Sequence, residues 1–206
     1  MKLSDTEREI AIAIVDMLVD YGMAEAMSEG KIYDFFYYNN LSGEGFNLSS
    51  GMTKACISHD DLFDWVIKVG FTSHVKIDHA KREYECYCLA KEAGLEYYFP
   101  TTIYLGEFGG VPFYLQEVAE CSEDAVSSEW YEHLRDRYEE DGRMYDVDEL
   151  WSVLDDMDDY EKAMLTFGDK KLADFLYEHE INDLHEGNFG YIGDHMVIID
   201  FSGFVC

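Results

Sequence analysis

The stretch Ile181-Asn182-Asp183-Leu184-His185-Glu186-Gly187-Asn188-Phe189-Gly190, with Asp200-Phe201-Ser202-Gly203 shortly after it, decides how the rest of the chain is read. It sets three polar residues, Asp183, Asn188 and Asp200, in an apolar frame. Gly193-Asp194 marks a turn and Met196-Val197-Ile198-Ile199 is apolar and rich in β-branched residues, so the loop leads into a short β-hairpin. The returning strand would deliver Asp200 at its end, facing Asn188. A carboxylate and an amide oxygen are hard ligands suited to Mg²⁺, which takes a few protein oxygens and completes its shell from phosphates and water. Asp183, left off the metal, is placed to orient or deprotonate a hydroxyl.

Working outward, 206 residues with 48% hydrophobic and 16% aromatic content can bury one sizeable core, with one or two lobes sharing a site. The apolar run from Ile10 to Val15 is too short to span a bilayer, and Asp5, Glu7 and Glu9 contradict a signal peptide, so no membrane association is expected. Five cysteines, Cys56, Cys86, Cys88, Cys121 and Cys206, show no C-x-x-C spacing and read as reduced thiols of a cytoplasmic protein. A formal net charge of −29 repels nucleic-acid phosphates and favours basic partners. The charge is uneven: from Cys121 to Glu161 sixteen acidic residues stand against Arg135, Arg137 and Arg143, a local net of −13. That segment reads as a solvated helical face, or else as a docking face for a basic partner or a mimic of nucleic acid.

Ser4-Asp5-Thr6-Glu7 has the form of a capping box opening a helix, with Ile10, Ile14, Val15, Leu18 and Val19 at helical spacing up to Gly22. A shorter helix is expected over 24–36. Both precede any chemistry-bearing element and read as a cap on the first lobe. From Phe46 the period becomes strand-like: strands at 46–48 and 54–57 flank the turn Ser49-Ser50-Gly51-Met52-Thr53. Trp65-Val66-Ile67-Lys68-Val69-Gly70 is the third strand, and a lysine within so apolar a run needs a carboxylate partner. A helix over 79–93, ending at Gly94, should supply it. Cys86, Leu89, Ala90 and Ala93 mark its core-facing stripe; Glu83 shares that stripe, and Glu85, on another, is the fallback. Two more strands, 101–106 and 111–116, join at Gly109-Gly110. Helices follow around 129–138 and 147–167, and Leu172, Phe175 and Leu176 mark a last helix leading into the loop.

With its upstream partners found, the loop can be compared. Asp183-Leu184-His185-Glu186-Gly187-Asn188 resembles the catalytic loop of protein-kinase-like phosphotransferases, and Ile199-Asp200-Phe201-Ser202-Gly203 their metal-binding DFG element. His185 stands where protein kinases usually carry Lys, as in aminoglycoside-phosphotransferase relatives. Ile181 takes the place of the usual His, and Ser202 is inserted between Phe201 and Gly203. Lys68 matches the nucleotide-binding Lys of the Val-Ala-Ile-Lys motif. Over residues 46–204 the chain is similar to the early serine/threonine protein kinases of T-odd, teseptimavirus-type bacteriophages.

The resemblance implies an α+β, protein-kinase-like fold: an N-terminal helical segment (1–45), a lobe with a five-stranded antiparallel sheet (46–116), and a reduced, mostly helical and acidic C-lobe (117–206) ending just after the DFG-like element. It implies ATP and Mg²⁺ as cofactors, with Ser50, Gly51 and Met52 over the phosphates, Lys68 held by Glu83, and backbone groups of Glu117 and Ala119 at the adenine edge. Asn188 and Asp200 would hold the metal, Asp183 would orient the acceptor hydroxyl, and His185 would contact the γ-phosphate. The implied partners are host bacterial proteins with basic surfaces, phosphorylated in the cytoplasm of an infected cell, with no direct nucleic-acid binding. A rival reading is an acidic, pseudokinase-like inhibitor that masks a host nucleic-acid-binding or restriction protein.

Overall fold

The structure, a computed structural model, describes residues 2–50, 53–71, 77–142 and 146–202. The described residues form an α+β fold with eight α-helices, a five-stranded antiparallel sheet and a two-stranded hairpin. Two compact units divide the chain, residues 1–118 and 119–206.

In the first unit, α1 (Asp5–Asp20) opens on the expected capping box, Ser4 accepting from Glu7 N while the Glu7 carboxylate accepts from Ser4 N. Ala11, Ile14, Val15 and Leu18 form its buried face. The single helix expected over 24–36 is two: α2 (Met23–Glu29) stops at Gly30, whose φ of 68° only glycine adopts without strain, and α3 (Ile32–Tyr38) begins after Lys31.

The sheet runs in the order β1-β2-β3-β5-β4, with β1 Phe46–Ser50, β2 Lys54–His59, β3 Trp65–Gly70, β4 Thr102–Phe108 and β5 Val111–Glu117. Strand alternation sorts these residues into two sets. Ala55 and Ile57, then Trp65, Ile67 and Val69, then Val111, Phe113 and Leu115 join α1 to α3 in one apolar core. Among the intervening positions Lys54, Lys68 and Gln116 are buried polar residues, and Lys68 and Gln116 meet a side chain of α4 (His79–Ala93).

Helix α4 starts at Asp78, whose carboxylate accepts from Lys81 N at 3.0 Å. That cap lies against β3: a Cβ on Gly70 would stand 2.1 Å from Asp78 Oδ1, so only glycine admits it. The buried face of α4 is His79, Ala80, Glu83, Cys86, Tyr87 and Ala90. Leu89, expected in the stripe, is 39% exposed, since the face is set by Glu83 and Cys86 rather than by the more apolar side chain. Burial pushes the Cys86 thiol up to about 11, so it stays protonated at neutral pH. Cys56, Cys86, Cys88 and Cys121 are all free thiols.

In the second unit, α5 (Glu123–Glu140) begins six residues before the expected start, because Ser122 caps it through Ala125 N. The expected helix over 147–167 breaks into α6 (Val147–Asp156) and α7 (Asp159–Phe167). Met157 turns extended there, and Asp158 and Glu161 form a second capping box that restarts the helix. Helix α8 (Lys170–Glu178) precedes the loop, and β6 (Phe189–Ile192) pairs antiparallel with β7 (His195–Ile198). Trp130 locks α5 to this core, donating from Nε1 to Thr166 Oγ1 at 2.7 Å with its ring edge-on to Phe189. Among the described residues no helix is long and apolar enough to cross a membrane.

If α1 is part of the first core, Leu18→Ala, at a site with no exposed surface, should lower the unfolding free energy by about 2–5 kcal/mol. Urea denaturation of the full chain measures it; a change within the surface range of about 0.5 kcal/mol would show that α1 does not belong to that core.

Candidate functional site

In the first unit the structure brings Lys68 and Glu83 together. Lys68 Nζ donates to Glu83 Oε2 at 2.7 Å, with the lysine 4% and the glutamate 0% exposed. Glu85 is exposed and pairs with Lys81 at 3.5 Å, one turn back along the helix. Two further residues on the same carboxylate, Lys54 and Gln116, are not expected from the sequence. Lys54 Nζ stands 2.8 Å from Glu83 Oε1, an ion pair whose angles fall outside those of a hydrogen bond. Gln116 Nε2 donates to Glu83 Oε2 at 3.4 Å and to Thr102 Oγ1 at 3.2 Å, and Thr102 in turn donates to Pro100 O at 3.1 Å. A buried carboxylate is stable only if its charge is paired, and here both oxygens are paired with an ammonium group while Oε2 also accepts hydrogen bonds.

The remaining expectations for this unit fare unevenly. Ser50 Oγ donates to the Tyr33 hydroxyl at 2.8 Å, tying the end of β1 to α3. Gly51 and Met52 lie outside the described residues. Glu117 is buried, and its backbone N–H is committed to Thr101 O at 2.9 Å within the sheet. Burial is the largest influence on its carboxyl and would raise it, but several lowering contacts, hydrogen bonding from Thr101 first among them, together hold it below the usual range.

In the second unit the loop is shaped by its backbone. Asp183 has a φ of 71°, left-handed geometry that aspartate tolerates better than most residues. Asp159, the first residue of α7, holds that conformation: its carboxylate accepts from Asp183 N at 3.0 Å and from Leu184 N at 2.8 Å. Asn188 Nδ2 donates to Asp183 O at 2.7 Å, closing the loop from the other side. Ile181, buried at 2% exposure, and Leu184 at 1% anchor the loop with apolar side chains. His185 is exposed, and its Nδ1 accepts from Gly187 N at 3.1 Å, which in the neutral ring leaves the proton on Nε2.

The hairpin continues this order. Ile199 N donates to Asn188 O at 2.9 Å, extending the β6/β7 register by one pair and setting Asp200 one position beyond Asn188. Asp200 Oδ1 accepts from Ser202 Oγ at 3.2 Å, a bond made by the inserted serine. Ala119, at the start of this unit, packs close to Gly190: a Cβ there would meet that of Ala119 at 3.0 Å. Among the described residues no three His, Cys, Asp or Glu side chains gather into a metal-binding group. One carboxylate and one amide, the oxygens expected of Asp200 and Asn188, fall short of such a group, and Mg²⁺ is the cation that needs few protein oxygens when phosphates and water fill its shell.

Asp159 was the least legible of these residues, hidden in an acidic run where Asp155, Asp156, Asp158 and Asp159 look alike. Its signal was the Asp158-Asp159-Tyr160-Glu161 capping box, which makes Asp158 an N-cap and turns Asp159 into the first helical turn. Lys54 could have been read from strand alternation, since it shares a parity with Cys56, the residue opposite Lys68.

Two outcomes test this geometry. Glu83→Ala strands two buried ammonium groups and should cost about 3–5 kcal/mol of stability in denaturant titration; a loss below about 0.5 kcal/mol would contradict the network. Asp183→Gly should be more stable than Asp183→Ala by about 1 kcal/mol, because alanine pays for the left-handed backbone and glycine does not; equal melting of the two would refute the φ assigned to the loop.

Compared with known proteins, the chain matches no protein-family model and no curated protein, so its reading rests on this geometry.

Proposed function

We propose that the chain is a protein-kinase-like phosphotransferase that moves the γ-phosphate of ATP to serine or threonine hydroxyls of proteins. The observation that carries this is the fully buried Glu83 gripping Lys68 at 2.7 Å. An ion pair of this kind is costly to bury, and a fold with no use for it would be as stable with apolar residues there.

Lys68 contacts the α- and β-phosphates, and Glu83 sets the position of its ammonium. Asn188 and Asp200 hold Mg²⁺, which when bound neutralises negative charge on the phosphate oxygens. Asp183, exposed on a loop whose backbone Asp159 and Asn188 fix, accepts a hydrogen bond from the acceptor hydroxyl and takes up its proton as the oxygen attacks. His185, with Nε2 as its donor, meets the γ-phosphate. The family resemblance adds the setting: host proteins with basic surfaces, in the cytoplasm of an infected bacterium.

The rival reading, an acidic inhibitor of a nucleic-acid-binding protein, draws on the exposed carboxylates of α5 and α6, including Glu139, Glu140, Asp155 and Asp156. Asp158 and Asp159 no longer count towards it, being spent on capping α7 and holding the loop.

Transfer of labelled γ-phosphate from Mg·ATP to the chain itself and to a bacterial lysate distinguishes the two. The wild type should label proteins, Asp200→Ala should abolish labelling, and Asp183→Ala should slow it by about a hundredfold or more. Labelling that persists in both variants refutes the site. No labelling by a wild type that still binds ATP moves the function to the acidic face.

A further inference from the structure

The reading above uses one lysine of the first unit, but the structure buries two at the same carboxylate. Lys54 is 5% exposed and Lys68 is 4% exposed, and they are the lysines counted as buried among the described residues. Lys54 Nζ lies 2.8 Å from Glu83 Oε1 and Lys68 Nζ lies 2.7 Å from Oε2, so one carboxylate bridges two ammonium groups. Holding Lys68 requires only one of these contacts. Asp78, whose carboxylate packs on Gly70 across the sheet register from Lys54, is engaged in capping α4.

The pairing of both ammonium groups on the two oxygens of one carboxylate brings them close enough together to share one polyphosphate. It also stands out against the whole chain. A net charge of −29 disfavours polyanions at most of the surface, whereas two clustered lysines make a local exception. Lys54 is moreover the first residue of β2, four positions after the last residue of β1. From these observations we infer that Lys54 is a second phosphate-binding lysine. It works beside Lys68 on the polyphosphate of a nucleoside triphosphate, with Glu83 spacing the two ammonium groups. This rests on the reading of the first unit as nucleotide-binding and adds to it a residue with its own test.

The wild-type chain can be treated with an acyl-phosphate derivative of ATP, which transfers its acyl group to lysine amines in contact with the phosphates, and the modified lysines mapped by mass spectrometry. Acylation of both Lys54 and Lys68, suppressed by excess ATP and by inorganic tripolyphosphate but not by adenosine, is the expected result. Acylation of Lys68 alone overturns the role of Lys54 and leaves nucleotide binding standing; acylation of neither overturns nucleotide binding itself. In parallel, Lys54→Gln should bind tripolyphosphate about tenfold or more weakly than the wild type, with Lys54→Arg close to the wild type. A Lys54→Gln variant that melts below the wild type yet binds tripolyphosphate as tightly would make Lys54 a purely structural partner of Glu83 and overturn its phosphate role.

Discussion

A carboxylate with no exposed surface cannot keep its charge unaided, and the first unit of this protein is arranged around keeping that of Glu83. Two lysines from neighbouring strands and a glutamine from a third converge on it. That convergence demands a sheet whose alternate positions are apolar on one side and polar on the other. It also demands a helix close enough to reach across. Gly70 supplies the closeness by admitting the capping carboxylate of Asp78, and the apolar core built from α1 to α3 frees the opposite set of strand positions for charge.

The second unit solves a different problem with a similar device. Its loop carries little regular structure, so its shape has to come from hydrogen bonds to backbone groups. Asp159 supplies two acceptors and Asn188 one donor, and between them they hold a left-handed residue that would otherwise relax. Apolar anchoring by Ile181 and Leu184 completes the support, so the polar loop sits on an ordinary packed core.

Strand and helix periodicity carried most of the fold. The five strands, the α4 helix with Gly94 behind it and the closing hairpin were all legible, because alternation and turn residues are local signals. Helix breaks were not. Gly30 and the Met157-Asp158 step each interrupt a run that stays helical in composition, and only the glycine's left-handed φ and the capping box reveal the stop. Lys68 and Glu83 were legible because a charge in an apolar run must be answered. Lys54 was not, since it opens its strand and borders a turn, where a lysine ordinarily faces water. Asp159 was masked by its neighbours: in a segment of net −13 no single carboxylate stands out. Leu89 has the apolar character and the spacing of the stripe yet lies off the helical face that Glu83 sets, so its hydrophobicity misleads.

The hairpin between Asn188 and Asp200 acts as a molecular ruler. Its ladder runs without a bulge from the Ile192–His195 pair to the Asn188–Ile199 bond, so Asn188 and Asp200 are spaced by counting residues around the Gly193-Asp194 turn. Adding or deleting one residue there would slide one strand past the other and exchange its two faces. The turn's length is thus under a constraint that its exposed, variable-looking composition conceals, and drift in sequence at those positions is free only so long as the count is kept.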